Sequence, residues 1–190
     1  GILLALGRRS KMAVIRVLCV AFIELFRSVP LITILFMATT MFPLFLPGGM
    51  VINKLASAIV AVCLFAAAYM AEVVRGGLQA IPKGQYEAAE AVGLTYWQAT
   101  VLIVMPQALK FMIPNIVGNF MGLLKDTTLV SIIGLYDLLG MINAVSHDPK
   151  WIGLHHEPLF TAAVIFFIGC FGMSKYSQHL ERSLGAGNNR

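Results

Sequence analysis

Long stretches without charge alternate with short polar ones along the chain. No Asp, Glu, Lys or Arg occurs from Leu31 to Asn53, a run read as one span entered from about Val17. Pro43, Pro47 and Gly48-Gly49 are expected to close it with a turn. Leu55 to Ala71 is a second uncharged run, ended by Glu72 and Arg75. A third begins near Phe111 and continues to about Val130, interrupted by Lys125 and Asp126, and Leu159 to Ser174 is the last. A helix rises about 1.5 Å per residue and the hydrocarbon layer is about 30 Å thick, so a span takes about 20 residues. The pattern predicts an all-α, polytopic helical membrane protein with about four complete spans. Gly1 to Gly7 runs into Arg8, Arg9 and Lys11 and has no cleavage site. It reads as the inner end of a helix whose beginning is missing, in an amino-terminally truncated chain.

The texture changes between residues 76 and 110, where Gly, Gln, Pro, Tyr, Trp and scattered charge predict short helices outside the membrane. A second polar stretch, from Asp137 through His147, Asp148, Pro149, Lys150, His155, His156 and Glu157 to Pro158, precedes the last span. Residues 1–190 read as one transmembrane domain carrying one large inner loop.

Composition narrows the classes. Hydrophobic residues make up 58% of the chain and charged residues 12%, against about 25% charged in a soluble domain. A soluble enzyme, a disordered tail and a nucleic-acid binder are excluded as economical readings. The net charge of +5 reports sidedness instead. With the 76–110 loop inside, Arg8, Arg9, Lys11, Arg16, Arg75, Lys83, Lys110, Lys175, Arg182 and Arg190 fall on the inner side. Only Lys54 and Lys150 fall outside, and Arg27 and Lys125 lie in or near the spans. That bias places the loop and the carboxy terminus in the cytoplasm. Cys19, Cys63 and Cys170 lie far apart in apolar runs and read as buried small hydrophobes.

The inner loop carries the chemistry. Glu87-Ala88-Ala89 is followed by three residues and Gly93, and after nine more by Ile103, Val104, Met105 and Pro106. This resembles the cytoplasmic loop E-A-A-x3-G-x9-I-x-L-P of ABC importer permeases, with Met105 where Leu is usual. Ile81-Pro82-Lys83-Gly84-Gln85 also fits that pattern. Glu24 with Arg27-Ser28-Val29-Pro30-Leu31, and Leu124-Lys125-Asp126-Thr127-Thr128-Leu129, resemble two further segments of the polar amino-acid permeases. Met173-Ser174-Lys175-Tyr176-Ser177, Leu180-Glu181-Arg182 and Asp148-Pro149-Lys150-Trp151 resemble permeases of general L-amino-acid importers. The resemblance covers essentially the whole chain. It implies a type I ABC importer permease bundle in a bacterial inner membrane, moving polar or general L-amino acids by alternating access. It also implies separate ATPase subunits, a second permease subunit and a periplasmic amino-acid-binding protein as partners.

The residues of the loop support a rigid peg on their own chemistry. Pro82 suits a first helical turn. Ala88, Ala89 and Ala91 favour helix and have little bulk, so their face can enter a partner's groove. Glu87 and Glu90 lie three apart and can meet a basic partner. Gly93 permits the positive φ of a helix-ending turn, and Pro106 is expected to break or kink the next helix. The resemblance implies that Glu87, Ala88, Ala89, Gly93, Ile103 and Pro106 are the ATPase-coupling residues. From spacing alone, an amphipathic surface helix without a partner reads the same way.

Six polar residues are candidates for the transport path. Lys125 and Asp126 are costly at membrane depth unless they face the bundle interior or water. They could meet the carboxylate and ammonium of a zwitterionic amino acid, with Thr127 and Thr128 supplying hydroxyls. Alternatively the span ends at Leu124 and the pair is interfacial. Glu24 and Arg27, three apart, join the path or form a helix-stabilising pair. Gly118 and Gly122 match a close-approach pattern of low specificity. Trp97 and Trp151 suit membrane–water interfaces.

No G-x-x-x-x-G-K-S/T phosphate loop occurs, so no ATP site and no cofactor is expected in this chain. The resemblance assigns ATP and its magnesium to the partner ATPase. His155-His156-Glu157 lacks a helical ligand spacing, and no Ser, His and Asp set forms a triad. Catalytic and metal residues are accordingly expected to be none. The competing reading, an ion-gradient-driven secondary transporter, predicts inverted repeats, and no clear repeat is present.

Overall fold

The computed structural model describes residues 1–47, 52–149 and 156–185, without the side chains of 184 and 185. The sequence features at Gly48, Gly49, Lys150, Trp151, His155 and Arg190 lie outside the described residues. Among those described, regular structure is helical throughout. In chain order the α-helices are α1 (Ile2–Arg8), α2 (Ala13–Ser28), α3 (Leu31–Phe36), α4 (Phe42–Leu44), α5 (Lys54–Gln79), α6 (Lys83–Ala91), α7 (Tyr96–Gln98), α8 (Met105–Asp126), α9 (Leu138–Ser146) and α10 (His156–Gly185). Wider π turns occupy Met37–Met41 and Ala99–Val104, and a tighter 3-10 stretch occupies Thr127–Ile133.

Three described helices are long and apolar enough to cross a membrane: Lys54–Gln79, Tyr96–Ile133 and His156–Ser183. A fourth crossing exists if the broken pair Ala13–Ser28 and Leu31–Leu44 counts as one span. The first span expected from the sequence, entered from about Val17, is bent by 104° between Ser28 and Leu31. Pro30 lies at φ −59° and ψ 143°, outside the helical region. Proline has no N–H to donate and disfavours the helical conformation of the residue before it, here Val29.

Two other prolines act differently from expectation. Pro43, expected in a turn, sits inside α4, and Pro106, expected to break or kink the next helix, sits in the first turn of α8 without breaking it. Each follows a π segment closely. The missing N–H of Pro43 leaves the Thr39 carbonyl without its α-helical donor, and that of Pro106 leaves Leu102 without one. Both carbonyls fall inside the widened turns, where the register shifts and the helix continues.

The chain forms two compact units. The first comprises Gly1–Leu25, Ala67–Asn119 and Ser174–Arg190. Its core combines Ala5, Ile23, Ala71, Val74, Leu78, Ile81, Val104, Ala108 and Met112. Ala71, Val74 and Leu78 recur at the i, i+3, i+7 spacing of one face of α5, and Val104, Ala108 and Met112 recur every four residues. Gly77 makes the packing of α5 on α8 possible, because a Cβ there would collide with Met112 and lie 3.1 Å from the Ala108 carbonyl oxygen. The second unit comprises Phe26–Ala66 and Phe120–Met173. Its core joins Leu31, Ile34 and Leu35 to Ala58, Ala61 and Ile133. Asp137 caps α9 by accepting the Gly140 N–H at 2.8 Å.

The cysteines depart from expectation. Cys63 is exposed, and Cys19 and Cys170 are half-buried. Apolar helices of a membrane protein show lipid or other subunits the surface a soluble domain hides, so an apolar run does not fix which residues lie inside.

Candidate coupling site and transport path

The loop from Leu78 to Gln107 belongs to the first unit. Pro82, at φ −57° and ψ 141°, precedes α6 and sets its direction. The helix ends in a tight left-handed corner at Gly93, φ +79°. The Gly93 N–H donates to the Glu90 carbonyl at 2.9 Å and the Leu94 N–H to the Ala89 carbonyl at 3.1 Å. This pair of bonds is the Schellman closure, which satisfies carbonyls the helix end leaves open and places a residue at positive φ. Thr95 then starts α7 with a capping box: its hydroxyl accepts from the Gln98 N–H, and the Gln98 side chain accepts from the Thr95 N–H. The helix–corner–helix peg read from the sequence is present.

One of its faces is attached, and the other is exposed among the described residues. Gln85, Tyr86 and Ala89 turn inward, and α6 packs on the π segment Ala99–Val104. Gln107 donates through Nε2 to Gln85 Oε1 at 2.9 Å and to the Ile103 carbonyl at 3.0 Å. Ile103 therefore contributes to the site as a backbone acceptor. Gly84, Glu87, Ala88, Glu90, Ala91 and Pro106 are exposed. The expected Ala88–Ala89 docking face needs correction, because Ala89 is only 1% exposed. Successive helical residues turn by about 100°, so Ala89 joins Gln85 and Tyr86 on the inner side. The outward small-residue stripe is Gly84, Ala88 and Ala91, with Glu87 beside it. Tyr96 and Trp97, also exposed, meet edge to face with centroids 5.7 Å apart.

Sequence reasoning missed a charged cluster in the same unit, because Glu72 reads there only as the end of an apolar run. Its Oε1 lies 2.7 Å from Arg8 Nη1, and its Oε2 accepts Arg75 Nε at 2.8 Å. Arg75 also donates to Gln79 at 2.9 Å, and Arg8 Nη1 reaches Glu24 Oε1 at 3.5 Å. Glu72, Arg75 and Gln79 share one stripe of α5, and that i, i+3, i+7 spacing is the signal available in the sequence. Arg9 donates to the Tyr86 hydroxyl at 3.3 Å, and its guanidinium carbon lies over the ring, 5.7 Å from the centroid. The Tyr86 hydroxyl in turn donates to the Leu78 carbonyl at 3.4 Å, one of the last-turn carbonyls that α5 leaves open.

The path candidates fall in both units. Glu24 belongs to the first, and Arg27, Lys125, Asp126, Thr127 and Thr128 to the second. Lys125 and Asp126 close α8 where the chain tightens into the 3-10 turn. Lys125 and Thr127 are exposed, while Asp126 and Thr128 are half-buried. The Thr127 and Thr128 hydroxyls donate to the Leu124 and Lys125 carbonyls, each at 2.8 Å. Their protons are engaged by the chain's own carbonyls, which leaves oxygen lone pairs as what they offer to any other group. A Cβ at Gly118 or Gly122 would meet nothing within 4 Å, so they mediate no close approach among the described residues.

The whole pattern has a counterpart among known proteins. The family described as the binding-protein-dependent transport system inner membrane component matches residues 1–185. The chain belongs to this family. It is 55% identical over 187 residues to the inner membrane amino-acid ABC transporter permease protein YhdY of Escherichia coli, covering 98% of this chain and 51% of that one. The glutamate/glutamine/aspartate/asparagine transport system permease protein BztC of Rhodobacter capsulatus is 55% identical over 185 residues, with 97% and 43% covered. The chain thus spans about half the length of these two relatives. It covers 82% of the probable glutamine ABC transporter permease GlnP of Bacillus subtilis, at 37% identity over 95% of its own length. A solved amino acid ABC transporter with histidines superimposes with a TM-score of 0.83 at 29% identity, covering 95% of this chain and 81% of that one. The family member is thus an inner-membrane component with the all-α fold of type I ABC importer permeases.

Proposed function

We propose that this chain is the permease subunit of an ATP-binding-cassette importer for polar or general L-amino acids. The carrying observation is the α6–Gly93 corner, in which the family motif presents Glu87, Ala88 and Ala91 outward while Gln85 and Tyr86 fasten the helix to the unit behind it. A small, acidic, outward face on a fixed helix suits docking into a groove of a separate ATPase. The amino-acid transport roles in the names of the relatives support the substrate class. ATP-driven closure of an ATPase pair moves the peg, the spans of two permease subunits open outward, and a periplasmic binding protein delivers the amino acid. Hydrolysis and release reset them inward. The charge bias supports a cytoplasmic position for the peg and the carboxy terminus.

The test uses Gly93, whose surroundings are open, so backbone conformation rather than size governs substitution. A non-glycine residue at positive φ costs about 1–2 kcal/mol, Asn least and β-branched residues most. In proteoliposomes containing ATPase and binding protein, Gly93→Asn is expected to keep its uptake per ATP hydrolysed. Gly93→Val is expected to lose uptake or release the ATPase while still inserting. Normal stimulated hydrolysis and normal uptake in Gly93→Val would remove the coupling role.

A further inference from the structure

We propose that α1 is a strut that transmits movement of the coupling helix to α2 and α5, with Arg9 holding Tyr86 and Arg8 holding Glu72 and Glu24. The inference rests on the reading of α6 as the coupling helix. Its observations are contacts within one unit. On α6, Tyr86 is clasped from two sides, by the Arg9 guanidinium and by the Leu78 carbonyl at the end of α5. One residue earlier, Arg8 leaves α1 in another direction and reaches Glu72 on α5 and Glu24 on α2. Glu72 lies under two helical turns before Leu78, so the two arginines grip the same stretch of α5, one directly and one through Tyr86.

Neighbouring residues on a helix point about 100° apart, so consecutive arginines at the end of α1 address different elements. The far contact is firm. Glu72 and Arg8 side chains are 14% and 27% exposed, and both Glu72 oxygens are engaged, by Arg8 and Arg75. Charge-assisted bonds of this kind are short and directional, and removing one partner strands the other in a poorly solvated place. Tyr86 and Arg9 thus feel a displacement of α6, and Arg8 passes it to the carboxylates of two helices. Arg8, Arg9 and Tyr86 are positioning residues in this scheme.

The experiment measures amino acid taken up per ATP hydrolysed by the reconstituted full-length permease with its ATPase and binding protein. Arg8→Gln and Tyr86→Phe are each expected to lower that ratio about threefold or more. Arg8→Lys, which keeps the charge, is expected to recover most of it. If the residues act in series, the double variant is no worse than the more impaired single one. Multiplying effects, or an unchanged ratio in both single variants, overturn the strut. If Arg8→Gln fails to assemble, Tyr86→Phe decides alone, because it keeps the ring and its packing. Gly93→Val separates the two readings. If it uncouples while the strut variants stay coupled, only the strut fails; if it stays coupled, the reading of α6 fails and the strut with it.

Discussion

Asp126 shows how little a residue's identity says about its role until its neighbours are placed. From the sequence, Lys125, Asp126, Thr127 and Thr128 are expensive or polar at membrane depth, and both a substrate contact and an interfacial position stay open. The structure puts them where α8 passes into a 3-10 turn, with both threonine hydroxyls donating to carbonyls of their own helix. Asp126 is the one anionic group of the four, so a role in holding an α-ammonium falls on it. Asp126→Asn keeps size and removes charge. A charge-assisted hydrogen bond is worth about 1.5–3 kcal/mol, so substrate engagement by the permease is expected to weaken about tenfold or more. The loss should be similar for acidic, neutral and basic amino acids, with the binding protein's affinity unchanged. Uptake kinetics unchanged for every substrate, at normal expression, would return the pair to the interface. Gly93 is legible from the sequence because a motif and a backbone requirement coincide there. The side of α6 on which Ala89 lies is not, because composition names helix formers without saying which side faces the core.

Helix existence was largely legible, and helix continuity was not. The uncharged runs locate α5, the later part of α8 and α10. Pro30, Pro43 and Pro106 carry the same missing N–H, yet the first breaks a helix and the other two follow π turns that let it continue. That choice depends on whether a widened turn packs, which a local pattern does not contain. Close approach likewise belongs to a different glycine from the pair the pattern picks out. Gly118 and Gly122 have open space around them, whereas Gly77 lies against Met112 and Ala108. Gly77→Val is expected to destabilise the solubilised permease by about 1–3 kcal/mol through overpacking. Gly122→Ala meets open space and is expected to leave its thermal unfolding unchanged or to raise it slightly, because Ala favours helix over Gly by about 0.5–1 kcal/mol. The reverse ranking in melting experiments would contradict this account of how α5 meets α8.

For the whole molecule, low charge and the length of the apolar runs predict a polytopic helical protein, and both follow from bilayer physics. Which apolar faces are covered does not follow from them. Among the described residues only 6% of the apolar stretch of α10 is buried, because lipid and other subunits are alternative surroundings for such a face. The Arg8–Glu72 link was illegible for a related reason: the two residues are 64 positions apart, and only the fold brings α1 to α5. The central claim is that this permease moves amino acids with energy supplied by a separate ATPase. The direct measurement is uptake of labelled amino acid into proteoliposomes, with and without ATPase and ATP, in the presence and absence of ionophores that collapse ion gradients. The account predicts uptake that requires ATPase, ATP and binding protein and survives collapse of the gradients. Uptake that proceeds without ATP and stops when a gradient is collapsed would contradict it.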